Sequence, residues 1–245
     1  MTAGDDTAID GATQVAQAAA LIARNIRSGQ YPPGQKLKIR TLVEETKLGA
    51  TPLREGLSRL ISRGLVRATD GRGFRVAEVS RGDLDDIMRT RLPLEMDALA
   101  LAISKGNSHW QAAVVGALHR LVTYASWAPD DPYEAALGFD EVHKAFHLTL
   151  VSACESPRML EFLDILYDQG FRYRHLMLST VEPRKRLSDP HRNAEHEALA
   201  RHAIDGETAL AQAVLRRHLE SFSADVFKAP NMPESAEGTL SAEAV

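Results

Sequence analysis

Strand-like segments are confined to one short stretch of this 245-residue chain, and the pattern after Ser80 is helical. Residues 65–69 and 74–79 read as two short strands, and the glycines on either side of Arg72 predict a hairpin tip between them. From 81 to 229 the apolar residues recur at helical spacing, which predicts six or seven helices. The expected fold is therefore mainly α, with a small strand-containing module followed by an all-helical bundle.

The first module is predicted to hold three helices before the hairpin. Helical periods cover residues 14–28 and 40–46, and residues 37–39 suit a short strand. Thr51 and Pro52 predict the start of a third helix, because threonine is a good N-cap and proline is favoured at the first helical position. This order of elements is that of a winged helix-turn-helix, whose second helix enters the major groove of DNA.

The charge is distributed unevenly along the chain. The formal net charge is −4, yet residues 12–79 hold twelve lysines and arginines against five acidic residues. The first third of the chain is therefore basic and the remainder is acidic. This distribution indicates that only the first module contacts the phosphates of a nucleic acid. The chain has no long apolar run for a membrane span, and its acidic N-terminus is unlike a secretory signal. With Cys154 as its single cysteine, we expect a cytoplasmic protein without internal disulfides.

Several residues of the first module are candidates for DNA contact. Arg54 and Ser58 lie opposite the leucine face of the third helix, and Arg40 suits a phosphate contact. Arg72 lies between glycines, which allow close approach to a narrow minor groove. For any single arginine, a solvated surface position is an equally good interpretation.

All nine histidines lie in the predicted bundle. His143 and His147 are four residues apart, so on a helix their rings share one face and can share a metal ion. Asp140 lies on the same face, as a ligand or as a hydrogen-bond partner of one. We assign no function to five of the remaining histidines, which are His109, His119, His175, His191 and His202.

The first module resembles the N-terminal domain of the GntR family. The resemblance rests on IRSGQYPPGQKL at 26–37, TPLREGLSRLISRGLV at 51–66 and GRGFRV at 71–76. It implies that Arg40, Thr51, Arg54 and Gly73 occupy DNA-contact positions. The sequence departs from the family at residues 49–50, where glycine and alanine replace the usual serine and arginine.

The bundle resembles the FCD domain, the sensor of the FadR subfamily. The matching segments are RLPLE at 91–95, HKAFH at 143–147, EH at 195–196 and RHL at 217–219. By position, the resemblance implies a metal site formed by His143, His147, His196 and His218. The expected ion is zinc, with nickel and manganese as alternatives. His143 stands where the family usually has aspartate, so Asp140 remains an alternative ligand.

Arg91 and Glu95 are four residues apart on the first helix of the bundle. One interpretation is a surface ion pair worth about 0.2–0.5 kcal/mol. The resemblance implies instead an effector site, in which Arg91 binds a carboxylate beside the metal with Glu95 next to it. The guanidinium group suits that ligand because its fork matches a carboxylate.

These features together predict a DNA-binding transcription regulator, expected to be a repressor and not an enzyme. We expect a homodimer on a pseudo-palindromic duplex operator, controlled by a small carboxylate effector. The expected domains are 12–79 for DNA and 80–229 for metal and effector, with disordered tails at 1–11 and 230–245. Two alternatives stay open: a regulator that binds its ligand without a metal, and a metal-dependent hydrolase with a fused DNA-binding arm.

Overall fold

A computed structural model describes residues 5–69, 73–178, 187 and 189–226 of the chain. The chain forms two compact units, Met1–Glu78 and Val79–Val245. The predicted disordered tail at 230–245 lies outside the described residues. The segment 5–11, predicted to be disordered, is instead the start of the first helix. Once a helix has been nucleated downstream, each added residue gains a hydrogen bond at little further cost, so the helix extends beyond its apolar stripe.

The first unit is a winged helix-turn-helix, as the sequence predicts. Its sheet has the order β1-β3-β2 and is antiparallel throughout, so the strand predicted near Leu37 pairs with β3 beside Phe74. The hairpin of β2 and β3 forms the wing. The elements are α1 (Asp5–Arg27), β1 (Lys36–Leu37), α2 (Ile39–Thr46), α3 (Ala50–Ser62), β2 (Val66–Thr69) and β3 (Gly73–Val76).

Helix α3 begins two residues earlier than expected, so the prediction that Thr51 is its N-cap is wrong. Gly49 is the N-cap, in an extended conformation, and its carbonyl accepts from the Leu53 N–H at 3.2 Å. Pro52 is then the third helical residue. Proline is tolerated there because the first N–H groups of a helix have no partner within the helix.

Helix α3 buries its leucine face against helix α1. Leu53, Leu57 and Leu60 are buried in the same core as Ile22 of α1. Gly56 lies on this face, where a Cβ atom would come within 2.9 Å of a backbone nitrogen of α1. The crossing of the two helices therefore depends on the absence of a side chain at residue 56.

The second unit is all-helical over the described residues. Short 3-10 turns at Tyr124–Ser126 and Ser152–Cys154 interrupt it. Within the part of the chain that the structure describes, no helix has both the length and the apolarity needed to cross a membrane. The α-helices are α4 (Arg81–Lys105), α5 (Ser108–Val122), α6 (Pro132–Val151), α7 (Pro157–Leu178), α8 (Pro190–Ile204) and α9 (Thr208–Val226).

Helix α4 is the central helix of this unit and packs against α6, α7, α8 and α9. Its buried residues recur at helical spacing, and most are apolar, such as Leu84 and Leu99. Arg91 and Glu95 lie on the same buried face. Two charged side chains are thereby placed in the middle of an apolar core.

The start of α4 is fixed to α7. The Ser80 side chain caps α4 by accepting from the Asp83 N–H at 3.1 Å. The Tyr173 hydroxyl of α7 donates to Asp83 Oδ2 at 2.6 Å and accepts from the Ser80 N–H at 3.1 Å. Arg172 donates to the same carboxylate at 3.0 Å. The chain is thus held by side chains of α7 directly after the first unit ends at Glu78.

We expect Gly56→Ala to destabilise the first unit by on the order of 1–3 kcal/mol, because the added methyl meets the Ala19 backbone nitrogen at 2.9 Å and Ala18 Cβ at 3.1 Å. Denaturant unfolding followed by circular dichroism measures this loss. Gly116→Ala is the matched control, since its Cβ would meet only the flexible tip of Arg120. There, alanine should retain its helix-propensity advantage of about 1 kcal/mol. Equal responses of the two variants would contradict the close crossing.

Candidate metal centre and nucleic-acid interface

Four buried histidines from three helices meet in the centre of the second unit. His143 and His147 come from α6, His196 from α8 and His218 from α9. One nitrogen of each ring lies within 4.8 Å of one nitrogen of every other ring. Ring centroids are 4.6 Å apart both for His143 with His147 and for His196 with His218. All four histidines named from the sequence are brought together.

Two of these rings are oriented by carboxylates behind them. His147 Nδ1 lies 3.0 Å from Glu95 Oε1, and His218 Nδ1 lies 3.0 Å from Glu195 Oε2. An Nδ1–H donated to a carboxylate leaves the Nε2 lone pair free on the other edge of the ring, as in metal-binding histidines. The carboxylates therefore fix the tautomer and direct Nε2 away from themselves.

Several ring nitrogens have no hydrogen-bond partner among the described residues. They are His143 Nδ1, His147 Nε2 and both nitrogens of His196. A buried polar atom without a partner costs about 1–3 kcal/mol, so such a group calls for a ligand. A single metal ion would satisfy one nitrogen of each ring at once.

The histidines are held in the form that binds metals. Burial lowers the pKa of His143 and of His196 well below the usual value, and it lowers that of His147 to about 4. Burial alone would raise the pKa of Glu95, but the neighbouring Arg91 and His147 outweigh it and lower that pKa. These rings are therefore neutral at pH 7 beside an ionised carboxylate, and metal ligation requires neutral imidazoles.

The donor set fits a first-row transition metal. Zinc bonds imidazole nitrogen at about 2.0–2.1 Å, so two nitrogens of one tetrahedral shell lie about 3.4 Å apart, which is within the 4.8 Å spread of the cluster. Asp140, the alternative ligand, is not one of the clustered donors. Its Oδ1 accepts from Arg174 Nε at 2.6 Å, and both side chains are buried.

Arg91 forms a buried ion pair next to the histidines. Its Nε donates to Glu95 Oε2 at 2.7 Å, with both side chains only 1% exposed, so the interpretation as a surface pair is wrong. The guanidinium carbon lies 3.6 Å from the centre of the Tyr167 ring. Arg91 Nη2 is buried and has no hydrogen-bond partner. This nitrogen can bind an anion without breaking a bond within the protein.

Glu95 has contacts that the sequence did not predict. Oε1 lies 3.0 Å from His147 Nδ1 and accepts from the Tyr167 hydroxyl at 3.1 Å, while Oε2 accepts from Arg91. Both oxygens thus bind groups of the protein, and Glu95 links Arg91 to His147 of the histidine cluster. The prediction that it also contacts an effector stays a prediction.

Sequence reasoning missed two members of the site, Tyr167 and Arg174, and did not predict the contact that a third, Glu195, makes. Tyr167 and Arg174 lie on α7, and their helical spacing alone does not separate them from ordinary core and surface residues. Glu195 precedes a predicted ligand, but its partner is His218 on the next helix. No local pattern reports such a contact, because it depends on how α8 and α9 pack.

The predicted DNA-contact residues that the structure describes are exposed, on α2, on α3 or at the start of β3. Thr51, Arg54 and Ser58 are exposed on α3, opposite its buried leucines. Arg40 is exposed on α2, with its Nε 3.1 Å from Glu44. Gly73 begins β3 at a φ of 95°, a conformation that favours glycine. Arg72 lies outside the described residues.

Comparison with known proteins identifies both units. The family model described as "FCD domain" matches residues 86–221, and that of the "Bacterial regulatory proteins, gntR family" matches residues 14–76. The chain is 34% identical over 197 residues to the HTH-type transcriptional repressor GlaR of Escherichia coli, covering 80% of this chain and 87% of the relative.

Further similarities extend over most of the chain. A regulator from Paraburkholderia xenovorans, BphR, is 34% identical over 80% of this chain and 78% of its own length. The solved structure of E. coli McbR/YncC superposes with a TM-score of 0.73 at 21% identity, covering 88% of this chain and 97% of that one. A GntR regulator from Rhodococcus superposes with a TM-score of 0.70 at 21% identity, covering 89% of this chain and 99% of its own.

Proposed function

Because this chain belongs to the gntR family of bacterial regulatory proteins and carries an FCD domain, we propose that it is a repressor controlled by a small carboxylate bound beside a metal ion. As a member of that family it is a DNA-binding transcription regulator and not an enzyme. The hydrolase alternative is thereby set aside. One relative, GlaR, is itself named as a repressor, which supports this direction of control.

The observation that carries the sensor half of the proposal is the meeting of four buried imidazoles with a buried arginine. The imidazoles have nitrogens without partners, and so does Arg91 at Nη2. A bound divalent ion would supply positive charge, and its shell would expand from four to five ligands to accept a carboxylate oxygen. Arg91 would donate from Nη2 to the same carboxylate and fix its orientation. His143, His147, His196 and His218 would hold the ion.

Helix α7 contacts both this site and the start of α4, which follows directly after the first unit in the chain. Tyr167 packs against Arg91 and donates to Glu95. Six residues later on the same helix, Tyr173 holds Ser80 and Asp83 at the start of α4. A carboxylate that draws Arg91 away from Tyr167 would therefore act on the helix that anchors the junction. Such a ligand changes operator affinity only if it binds the two states unequally.

The DNA-reading half of the proposal rests on helix α3 and the wing. Arg54, Ser58 and Thr51 would face base edges in the major groove, and Arg40 would contact a phosphate. Two copies in a homodimer would present two such helices to half-sites about one helical turn apart. The glycine at residue 73 would let the wing approach the neighbouring groove closely, and Arg72, which precedes it in the sequence, would be the residue that enters that groove.

We expect Arg54→Ala to weaken operator binding by about 10- to 100-fold, because an arginine contact to a base edge is worth about 1–3 kcal/mol. A gel shift measures this on an operator selected from a pool of random duplexes. Arg120→Ala is the matched control, an exposed arginine on α5 in the other unit. An unchanged midpoint for Arg54→Ala, with the fold intact by circular dichroism, would remove this residue from the interface.

We expect protein purified without an affinity tag to hold about one zinc-like ion per chain, and His196→Ala to lose most of it, because the loss of one of four ligands opens the site. Elemental analysis after dialysis against a weak chelator measures the content. His109→Ala is the control, since His109 is exposed on α5. Full occupancy in His196→Ala would exclude that residue as a ligand, and a metal-free wild-type protein would favour the metal-independent regulator.

We expect small carboxylates to raise the melting temperature of the zinc-loaded protein but not of the stripped protein, because the ligand needs both the ion and Arg91. A thermal-shift screen of metabolic carboxylates checks this, since a ligand at 100 times its Kd stabilises the folded state by about 2.7 kcal/mol. Uncharged amide analogues of each hit serve as controls. Equal shifts for the loaded and stripped proteins would place the ligand away from the ion.

A further inference from the structure

We propose that the all-imidazole shell makes this centre selective for ions that prefer nitrogen, such as zinc and nickel, over manganese and magnesium, and that His143 is the residue that sets the preference. This inference rests on the proposed metal site and narrows the class of ion. The proposal is argued from the imidazole nitrogens that the four histidines of this chain provide.

The nearby carboxylates are all bound to other groups of the protein. Glu95 lies behind His147 and Glu195 lies behind His218, each against the Nδ1 edge of its ring. Asp140, one turn before His143 on α6, pairs with Arg174 at 2.6 Å. Among the described residues, the donors that cluster within 4.8 Å of one another are imidazole nitrogens alone. Carboxylates therefore orient the shell from outside without contributing an oxygen to it.

Hard cations gain little from such a shell. Manganese and magnesium prefer carboxylate, carbonyl and water oxygens, and magnesium gives up its waters reluctantly. Zinc, nickel and copper bind imidazole well. Among the first-row divalent ions, manganese has the lowest affinity for nitrogen donors. The four rings are at most 7% exposed, so water is poorly placed to supply the missing oxygens. Burial of the site and the nitrogen donors thus both disfavour manganese and magnesium.

His143 is the ligand whose donor type can be changed with least disturbance. Replacing His147 or His218 would remove one hydrogen-bond partner from the buried carboxylate that each one engages. His143 Nδ1 has no hydrogen-bond partner. The ring packs beside Phe139, with centroids 5.7 Å apart, and it is the most exposed of the four. A carboxylate at residue 143 would add an oxygen and a negative charge to the shell and leave the other three ligands in place.

The test uses full-length protein stripped by a chelator, as wild type and as the variants His143→Asp and His143→Glu. Aspartate and glutamate differ in length by one methylene group, so one of them can place its oxygen near the ion where the other does not. Zinc affinity is measured by competition with a chromogenic chelator and manganese affinity by equilibrium dialysis with elemental analysis. His109→Glu is the matched control, because it adds the same charge at an exposed histidine. Near-ultraviolet circular dichroism identifies any variant that fails to fold.

We expect the wild-type protein to bind zinc at one ion per chain and to bind manganese at least about 1000-fold more weakly. In a folded carboxylate variant the ratio of the two dissociation constants should fall by about tenfold or more, with His109→Glu unchanged. Wild-type protein that binds both ions with similar affinity would overturn the proposal whether or not a variant folds. An unchanged ratio in folded variants would show that residue 143 does not set it. Failure of the wild-type protein to bind any ion would refute the metal site itself.

Discussion

The buried carboxylate of Glu95 is the group on which the sensor unit depends. It accepts from Arg91, lies 3.0 Å from His147 Nδ1 and accepts from the Tyr167 hydroxyl, so one side chain of α4 joins residues of α6 and α7. An ionised carboxylate in an apolar core is costly unless its oxygens are fully bonded, and here both oxygens have partners. The positions of the arginine, the histidine and the tyrosine are therefore determined together.

This arrangement differs from an apolar core of the same shape. Replacement of a buried ion pair by apolar residues is often neutral or stabilising, so stability alone does not account for Arg91 and Glu95. A second buried pair, Arg174 with Asp140, lies on the adjoining α7 and α6. What these pairs supply is orientation: Glu95 fixes the tautomer of a histidine, and Arg91 is held with one nitrogen still unpartnered. An oriented histidine and an arginine nitrogen without a partner are features of a ligand-binding site more than of a hydrophobic core.

The sequence predicted local features of this protein well and contacts between helices poorly. The spacing of His143 and His147 was sufficient to place two rings on one face, because helical geometry fixes the relation between residues four apart. His196 and His218 came from family resemblance alone, since their meeting depends on the packing of α8 against α9. Tyr167 was missed for the same reason. The predicted N-cap at Thr51 was wrong by two residues, because the first turn of a helix accepts proline at several positions.

The electrostatic balance around the histidines favours an anion over a cation or a neutral molecule as the ligand that we propose for this site. Arg91 with Glu95 and Arg174 with Asp140 form two pairs whose charges cancel. Glu195 adds one negative charge at the edge of the cluster, against His218. Three of the rings have pKa values lowered by burial and carry no charge at pH 7. Within the part of the chain that the structure describes, a divalent ion in their midst would then have one nearby uncancelled negative charge to offset it. In a buried site the remaining positive charge favours a carboxylate, for which Arg91 Nη2 is an unpartnered donor.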